Sequence, residues 1–98
     1  MANNHPKAKT IRVLLADDHT LFREGVASLL QRTADVQLVG EAATGEEAVR
    51  LAGELLPDLV LMDLQMPGIG GIEAARAIVR HNPHIGVIVL TMFEDDES

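Results

Sequence analysis

Short, nearly continuous apolar runs alternate along the chain with longer segments in which apolar residues recur every three or four positions. Such runs are typical of strands covered on both faces, and the longer segments are typical of amphipathic helices. The predicted strands are Ile11 to Ala16, Val36 to Ala42, Leu59 to Met62 and Val87 to Leu90. The order β-α-β-α-β-α-β predicts an α/β fold in which crossover helices join the strands of a parallel sheet.

The first two helices are predicted from different signals. In the first, apolar residues recur at helical spacing, and Arg23 falls outside their stripe. The residues of that stripe are Leu21, Phe22, Val26, Leu29 and Leu30. The second helix opens with a capping box, in which Thr44 and Glu47 satisfy free backbone amides, and it ends before Pro57.

The third helix follows a loop that is rich in glycine. Gly68, Gly70 and Gly71 lack both the full dinucleotide-binding spacing and a phosphate-loop lysine, so we interpret them as a turn. The helix is predicted to bury Ile72, Ala75 and Val79, with Ile78 at the side of this stripe. The pair Asn82-Pro83 ends it, because proline cannot continue a helix.

Composition narrows the classes of function. A length of 98 residues with 47% hydrophobic residues predicts one small packed domain, preceded by a loose polar lead over residues 1–10. Cysteine is absent, which excludes disulfides and thiolate metal sites. No apolar run approaches the roughly 20 residues needed to cross a bilayer, so we expect a cytoplasmic protein without membrane contact. The net charge of −7 argues against direct nucleic-acid binding by this segment.

Polar residues follow three of the predicted strands. Asp17 and Asp18 come after the first, Asp63 after the third and Thr91 after the fourth. In parallel sheets, ligands gather at the carboxyl ends of the strands, and a strand order of 2-1-3-4 would bring these three carboxylates together at the switch point. Because clustered carboxylates repel one another, a hard divalent cation is expected there, and an all-oxygen site suits Mg²⁺ better than zinc.

A carboxylate beside Mg²⁺ can attack a phosphoryl donor and form an aspartyl phosphate. Asp63 is the candidate nucleophile, and Thr91 is placed to donate its hydroxyl to a phosphoryl oxygen. Asp58 is an alternative nucleophile by residue type only. It begins the strand that Asp63 ends, and so lies about 16 Å away at the opposite edge of the sheet, where the strands begin.

Three segments of the chain resemble the receiver domains of bacterial two-component response regulators, and their sequences are most similar to those of the NarL/FixJ branch. They read VLLADDH, PDLVLMDLQMPGIGGIEA and VIVLTMFEDD, and the resemblance extends from about Ile11 to the end of the chain. It implies the flavodoxin-like, CheY-like doubly wound sheet. It also implies a LuxR-type helix-turn-helix output domain in the full-length protein, through which the receiver regulates transcription.

The resemblance also implies roles for single residues. Asp63 would accept a phosphoryl group from a sensor histidine kinase, and Asp17 and Asp18 would hold Mg²⁺ with Asp63 and the backbone carbonyl of Gln65. Thr91 would be the switch hydroxyl, whose movement alters dimerisation or effector contacts. Such a domain is not an enzyme in the ordinary sense, because it assists only its own phosphorylation and dephosphorylation.

The chain departs from the family pattern at its C-terminal side. The fifth strand, with its lysine and its aromatic switch residue, and the fifth helix are missing, so we expect residues 11–98 to be an incomplete receiver. The fourth strand would then expose a Val-Ile-Val-Leu edge, which favours self-association.

Other interpretations remain open at this point. A phosphohydrolase of the haloacid-dehalogenase type would need a second aspartate where Gln65 stands, and a phosphorylation-independent binding module would fit the missing lysine. His81 and His84 have helical spacing, but a helix break between them favours exposed loop histidines over a metal pair. The acidic run Glu94 to Glu97 is better explained as the beginning of a helix than as a cation site.

Overall fold

The computed structural model describes residues 10–90 and contains four strands and three helices. The strands are β1 (Ile11–Ala16), β2 (Val36–Ala42), β3 (Leu59–Asp63) and β4 (Gly86–Leu90). The helices are α1 (Thr20–Gln31), α2 (Gly45–Leu55) and α3 (Gly70–His81). The alternation predicted from the hydrophobic pattern is confirmed, and no predicted strand limit differs from the observed one by more than one residue.

All strand pairs in the sheet are parallel, and their order is β2-β1-β3-β4, as predicted. The chain therefore moves in one direction from β1 to β2 and in the other from β2 to β3 and β4. Because parallel crossovers are right-handed, this reversal places α1 on one face of the sheet and α2 and α3 on the other. The result is the doubly wound, flavodoxin-like arrangement, with its switch point between β1 and β3.

The main core lies between the sheet and the pair α2 and α3. Leu14, Val60 and Met62 from the strands are fully buried there against Ala48 and Ala52 of α2. The helix faces in this core are lined mainly by small side chains, which allows the helix backbones to approach the sheet closely. Burial of the large strand residues contributes most of the packing energy, at about 1.5–3 kcal/mol for each side chain.

The predicted apolar stripe of α3 was wrong by one residue. Ile72 and Val79 are 55% and 41% exposed, whereas Gly71, Ala74 and Ile78 are the buried positions. Two of these three buried residues are small, which allows the helix to lie close to α2 and the sheet, and Ile78 fills the core beside them. In α1, Leu21 and Leu29 of the predicted stripe are likewise exposed, and Ala27 is the buried residue.

Two predicted helix signals are confirmed. The amide of Glu47 donates to the Thr44 hydroxyl at 3.1 Å, as in a capping box, and the Glu47 carboxylate accepts at 3.0 Å from the amide of Ala43, the residue before the N-cap. At the other helix, α3 ends at His81, immediately before Asn82-Pro83. Within residues 10–90, no helix is both long enough and apolar enough to cross a membrane.

Candidate functional site

The register of the sheet brings two of the predicted acidic segments to the same level. Ala16 at the end of β1 pairs with Met62 of β3, so that Asp17 and Asp63 follow neighbouring positions. The backbone amide of Asp17 donates to the carbonyl of Ala42 at 2.9 Å, which continues the ladder to β2 and fixes the direction of the acidic segment. The candidate site therefore lies at the carboxyl ends of the strands, at the switch point.

Four side chains converge there. Asp17, Asp18, His19 and Asp63 each offer one ligand atom, and these atoms lie within 4.8 Å of one another. Asp17 and Asp63 are fully buried, whereas Asp18 and His19 face solvent. The site is thus a shallow acidic cluster with a buried floor and an open rim.

The two buried carboxylates are only half satisfied. Asp63 Oδ1 accepts from the backbone amide of Gln65 at 3.1 Å, and Asp17 Oδ1 accepts from the amide of His19 at 2.7 Å. The Oδ2 atoms of both residues are buried and have no hydrogen-bond partner among residues 10–90. Since a buried carboxylate oxygen without a partner is costly, this arrangement favours a bound cation.

The electrostatics of Asp63 point in the same direction. Its burial raises the pKa of the carboxyl group above the usual value, and the charges of Asp17 and Asp18 raise it further. The Gln65 amide and His19 act in the opposite sense without reversing the shift. A cation would relieve the cost of ionising Asp63 at neutral pH.

The imidazole of His19 folds back over the cluster, a feature that the sequence analysis missed. Its Nδ1 atom lies 3.1 Å from one oxygen of Asp17, 3.1 Å from one of Asp18 and 3.7 Å from one of Asp63. The hydrogen bond to Asp17 and the charge of Asp18 raise the pKa of this histidine. Its position next to the acidic pair was visible in the sequence, but hydrophobic periodicity says nothing about the direction of its ring.

Arg23 is a second residue that the hydrophobic pattern did not assign to the site. Its guanidinium donates to the backbone carbonyl of Asp17 at 2.7 Å and to the carboxylate of Glu41 at 3.1 Å. Its side chain is only 20% exposed. Arg23 therefore links the segment after β1 to strand β2, and it fixes the backbone of the buried Asp17 through the carbonyl oxygen.

The loop after β3 uses glycine for two physical reasons. Gly68 and Gly70 have φ values of 85° and 84°, a region in which side chains with a Cβ are strained, so the predicted turn is confirmed. At Gly71, a Cβ would overlap the backbone carbonyl of Asp63 and the Cα of Leu64. The beginning of α3 can therefore lie directly against the end of β3 and keep Asp63 in place.

The predicted site residues have different outcomes. Asp17, Asp18 and Asp63 are brought together, while the role of the Gln65 carbonyl stays a prediction and Thr91 lies outside the described residues. The rival Asp58 lies at the opposite end of β3, where its carboxylate accepts from the amide of Arg12 at 2.9 Å. The acidic run of residues 94–97 also lies outside the described residues.

The two later histidines are not part of this cluster. His81 is the last residue of α3 rather than a loop residue, and its Nδ1 lies 2.8 Å from the carbonyl oxygen of Ala77. His84 is exposed. Among residues 10–90, the cluster around Asp63 is the only group of three or more potential ligands, and its orphaned carboxylate oxygens fit a hard divalent ion.

Comparison with known proteins decides the family. The family model of the response regulator receiver domain matches residues 13–98. The chain belongs to this family. The receiver domain is 50% identical over 86 residues to the response regulator GacA of Pseudomonas aeruginosa, which covers 88% of the chain and 40% of GacA. It is 52% identical over 88 residues to the transcriptional regulatory protein LiaR of Bacillus subtilis, which covers 90% of the chain and 42% of LiaR.

Solved structures agree with this assignment. A LuxR-family two-component response regulator from Aurantimonas sp. superposes with a TM-score of 0.82 at 43% identity, covering 88% of the chain and 61% of that protein. The signal receiver domain of the response regulator NarL from Mycobacterium tuberculosis gives a TM-score of 0.80 at 38% identity. The match covers 90% of the chain and 71% of that protein. The receiver domain is therefore of the LuxR/NarL type, and it spans about 40% of the length of the curated relatives.

Proposed function

We propose that this receiver domain accepts a phosphoryl group on Asp63 from a sensor histidine kinase. In this proposal Mg²⁺ is held by Asp17, Asp18, Asp63 and the backbone carbonyl of Gln65. The observation that carries it is the pair of buried carboxylates, Asp17 and Asp63, whose Oδ2 atoms lack a partner among residues 10–90. Two such groups side by side are unfavourable for stability alone, so a functional role is the better explanation.

The chemistry follows from the position of Asp63 at the end of β3. One oxygen of its carboxylate attacks the phosphorus of the donor, and the bond between phosphorus and the kinase histidine nitrogen breaks with its electron pair passing to that nitrogen. When bound, Mg²⁺ would offset the negative charges of the carboxylates and of the incoming phosphoryl group. The amide of Gln65 holds one Asp63 oxygen at 3.1 Å and so orients the carboxylate for attack.

Of the remaining residues, some position the acidic cluster and one responds to phosphorylation. Arg23 holds the backbone of Asp17, and Gly71 allows α3 to lie against the end of β3. Thr91 follows Leu90, which is the register partner of Asp63, and we assign its hydroxyl to a phosphoryl oxygen. Movement of that hydroxyl would favour one of two conformations of the domain and so transmit the signal.

Intact mass spectrometry after incubation with acetyl phosphate tests the proposal. We expect one phosphoryl addition that requires Mg²⁺ and is lost in Asp63→Asn. The variant Asp58→Asn is the matched control, because it removes the aspartate that directly precedes β3, at the opposite end of that strand from Asp63, and it should be phosphorylated like the unaltered chain. No addition would contradict the proposal and favour a phosphorylation-independent binding module. Addition that persists in Asp63→Asn would contradict the assignment of the phosphoryl group to Asp63.

The role in the cell follows from the same proposal. We infer a cytoplasmic receiver, formed by residues 11–98, that regulates transcription through a helix-turn-helix output domain. The net charge of −7 makes direct contact of this segment with nucleic acid unfavourable. As in the family, its catalytic activity would be limited to assisting its own phosphorylation and dephosphorylation.

Self-association of this 98-residue chain is part of the proposal. The outer edge of β4 is not paired within residues 10–90, and Ile88 and Val89 are 49% and 44% exposed. Such an edge is a template for another strand. Light scattering should show a mass that rises with concentration, and a constant monomer mass would contradict this part of the proposal.

A further inference from the structure

The imidazole of His19 is the part of the site that the proposed function does not use. Its Nδ1 atom is 3.1 Å from Asp17 Oδ1, 3.1 Å from Asp18 Oδ1 and 3.7 Å from Asp63 Oδ2. Adjacent ligand atoms around an ion that they bind at about 2.1 Å lie about 3 Å apart. The nitrogen therefore stands at the spacing of a ligand within the carboxylate set.

The position of this ring is fixed by its own backbone. The amide of His19 donates to Asp17 Oδ1 at 2.7 Å, so the residue begins its side chain directly beside the buried carboxylate. The two orphaned Oδ2 atoms of Asp17 and Asp63 are buried on the floor of the same cluster. A cation that satisfies these oxygens is thus within reach of the imidazole nitrogen.

The chemical nature of the imidazole donor matters for the choice of ion. Mg²⁺ is a hard ion that prefers oxygen and keeps several waters, so an imidazole adds little to its binding. Borderline transition ions such as Co²⁺ bind imidazole well. A mixed set of carboxylate oxygens and one nitrogen therefore discriminates between these ions in a way that carboxylates alone do not.

We propose that His19 is a specificity-determining residue of this site: its Nδ1 is a ligand for borderline divalent ions such as Co²⁺ and adds nothing to the binding of Mg²⁺. The inference rests on the proposed function, because it takes the acidic cluster as the metal site. It goes beyond that function by adding a protein ligand and a second class of ion.

Isothermal titration calorimetry with Co²⁺ and with Mg²⁺, in the absence of a phosphodonor, tests the inference. The test variant is His19→Phe, which keeps a planar ring and removes the nitrogen, and His19→Gln repeats the test with a polar side chain. At a pH above the pKa of His19, where the imidazole is neutral, we expect both variants to weaken Co²⁺ binding by about tenfold or more and to change Mg²⁺ binding by less than about twofold. The visible absorption of bound Co²⁺ should also change when the nitrogen ligand is lost.

His84→Phe is the matched control, because this exposed histidine lies outside the cluster, and it should leave both affinities unchanged. Excess Mg²⁺ should displace the bound Co²⁺, which shows that the two ions share one site. The role of His19 would be overturned, and the proposed function left standing, by any of three results. These are an equal loss of affinity for the two ions in the His19 variants, an unchanged Co²⁺ affinity, or a failure of Mg²⁺ to displace Co²⁺. Binding of neither ion to the unaltered chain would overturn the proposed function as well.

Discussion

Replacing Asp63 by asparagine should stabilise the metal-free domain at neutral pH, although it destroys the proposed function. The ligand atoms of Asp63, Asp17 and Asp18 lie within 4.8 Å, so one pair of charges repels by about 3.5 kcal/mol at an effective dielectric constant near 20. The positive charge of the His19 imidazole offsets part of this repulsion. We therefore expect Asp63→Asn to raise the free energy of unfolding by about 1–2 kcal/mol, or the Tm by about 5–10 °C.

The pH dependence of this gain has a defined sign. Because the pKa of Asp63 is raised in the folded domain, the cost of its charge is fully present above that pKa. The cost shrinks as the pH falls from the raised pKa to the ordinary value of 3.8, and it vanishes below 3.8, where the carboxyl group is protonated in both states. The advantage of the variant over the unaltered chain should shrink over the same pH range.

Thermal and urea unfolding without divalent ions, followed by circular dichroism, measure this difference. Asp58→Asn is the control, because Asp58 accepts a hydrogen bond from the Arg12 amide and has no part in the cluster, so its loss should not stabilise the domain. Mg²⁺ at ten times its dissociation constant should add about 1.4 kcal/mol to the unaltered chain and much less to Asp63→Asn. A variant that is less stable than the unaltered chain at neutral pH would refute the assignment of repulsion to this site.

Three further predictions concern the residues around the cluster. Arg23→Gln should weaken Mg²⁺ binding in calorimetry, because the Asp17 carbonyl and Glu41 lose their shared donor, and an unchanged affinity would show that the link is dispensable. Gly71→Ala should lower the free energy of unfolding by more than about 1 kcal/mol, because its Cβ would overlap the Asp63 carbonyl; equal stability in urea would contradict this close approach. By NMR titration without divalent ions, the His19 pKa should lie above 6.5 and fall when Mg²⁺ is added, since the ion competes for the same oxygens. A His19 pKa that does not respond to Mg²⁺ would separate the ring from the site.

The order of the elements could be predicted from the sequence because each element carries a local signal, whereas the strand order was implied by the resemblance to receiver domains. Strands covered on both faces are apolar almost without interruption, as in Ile11–Ala16, and the capping box at Thr44 marks a helix start by its own chemistry. The acidic residues could be placed at one edge for the same reason, because a parallel sheet puts every strand's carboxyl end on that edge.

The packing of the helices could not be predicted in the same way. The pattern favoured Ile72 and Val79 as the buried face of α3, whereas Ala74 and Ile78 are buried. Helical periodicity ranks positions by hydrophobicity, but the fit between α2, α3 and the sheet places small side chains such as Ala74 next to a large one, Ile78. Size at an interface is a property of two surfaces, and it is not visible in one segment.

The residues around the carboxylates were missed for a related reason. Arg23 was correctly predicted to lie outside the apolar stripe of α1. The pattern could not show that its side chain reaches Glu41 in β2. For His19, the sequence fixes its place after the acidic pair, and only the turn at Asp17 directs its ring back over the cluster. Both contacts depend on where two elements meet in space.

The location of the phosphoryl group is the most direct test of the central claim. An acyl phosphate is reduced by borohydride to an alcohol, so treatment of the phosphorylated chain followed by peptide mass spectrometry identifies the modified aspartate. The account predicts homoserine at position 63 and unmodified aspartate at positions 17, 18 and 58. Homoserine at any of those three positions, or at none of the four after incubation with phosphodonor and Mg²⁺, would contradict it.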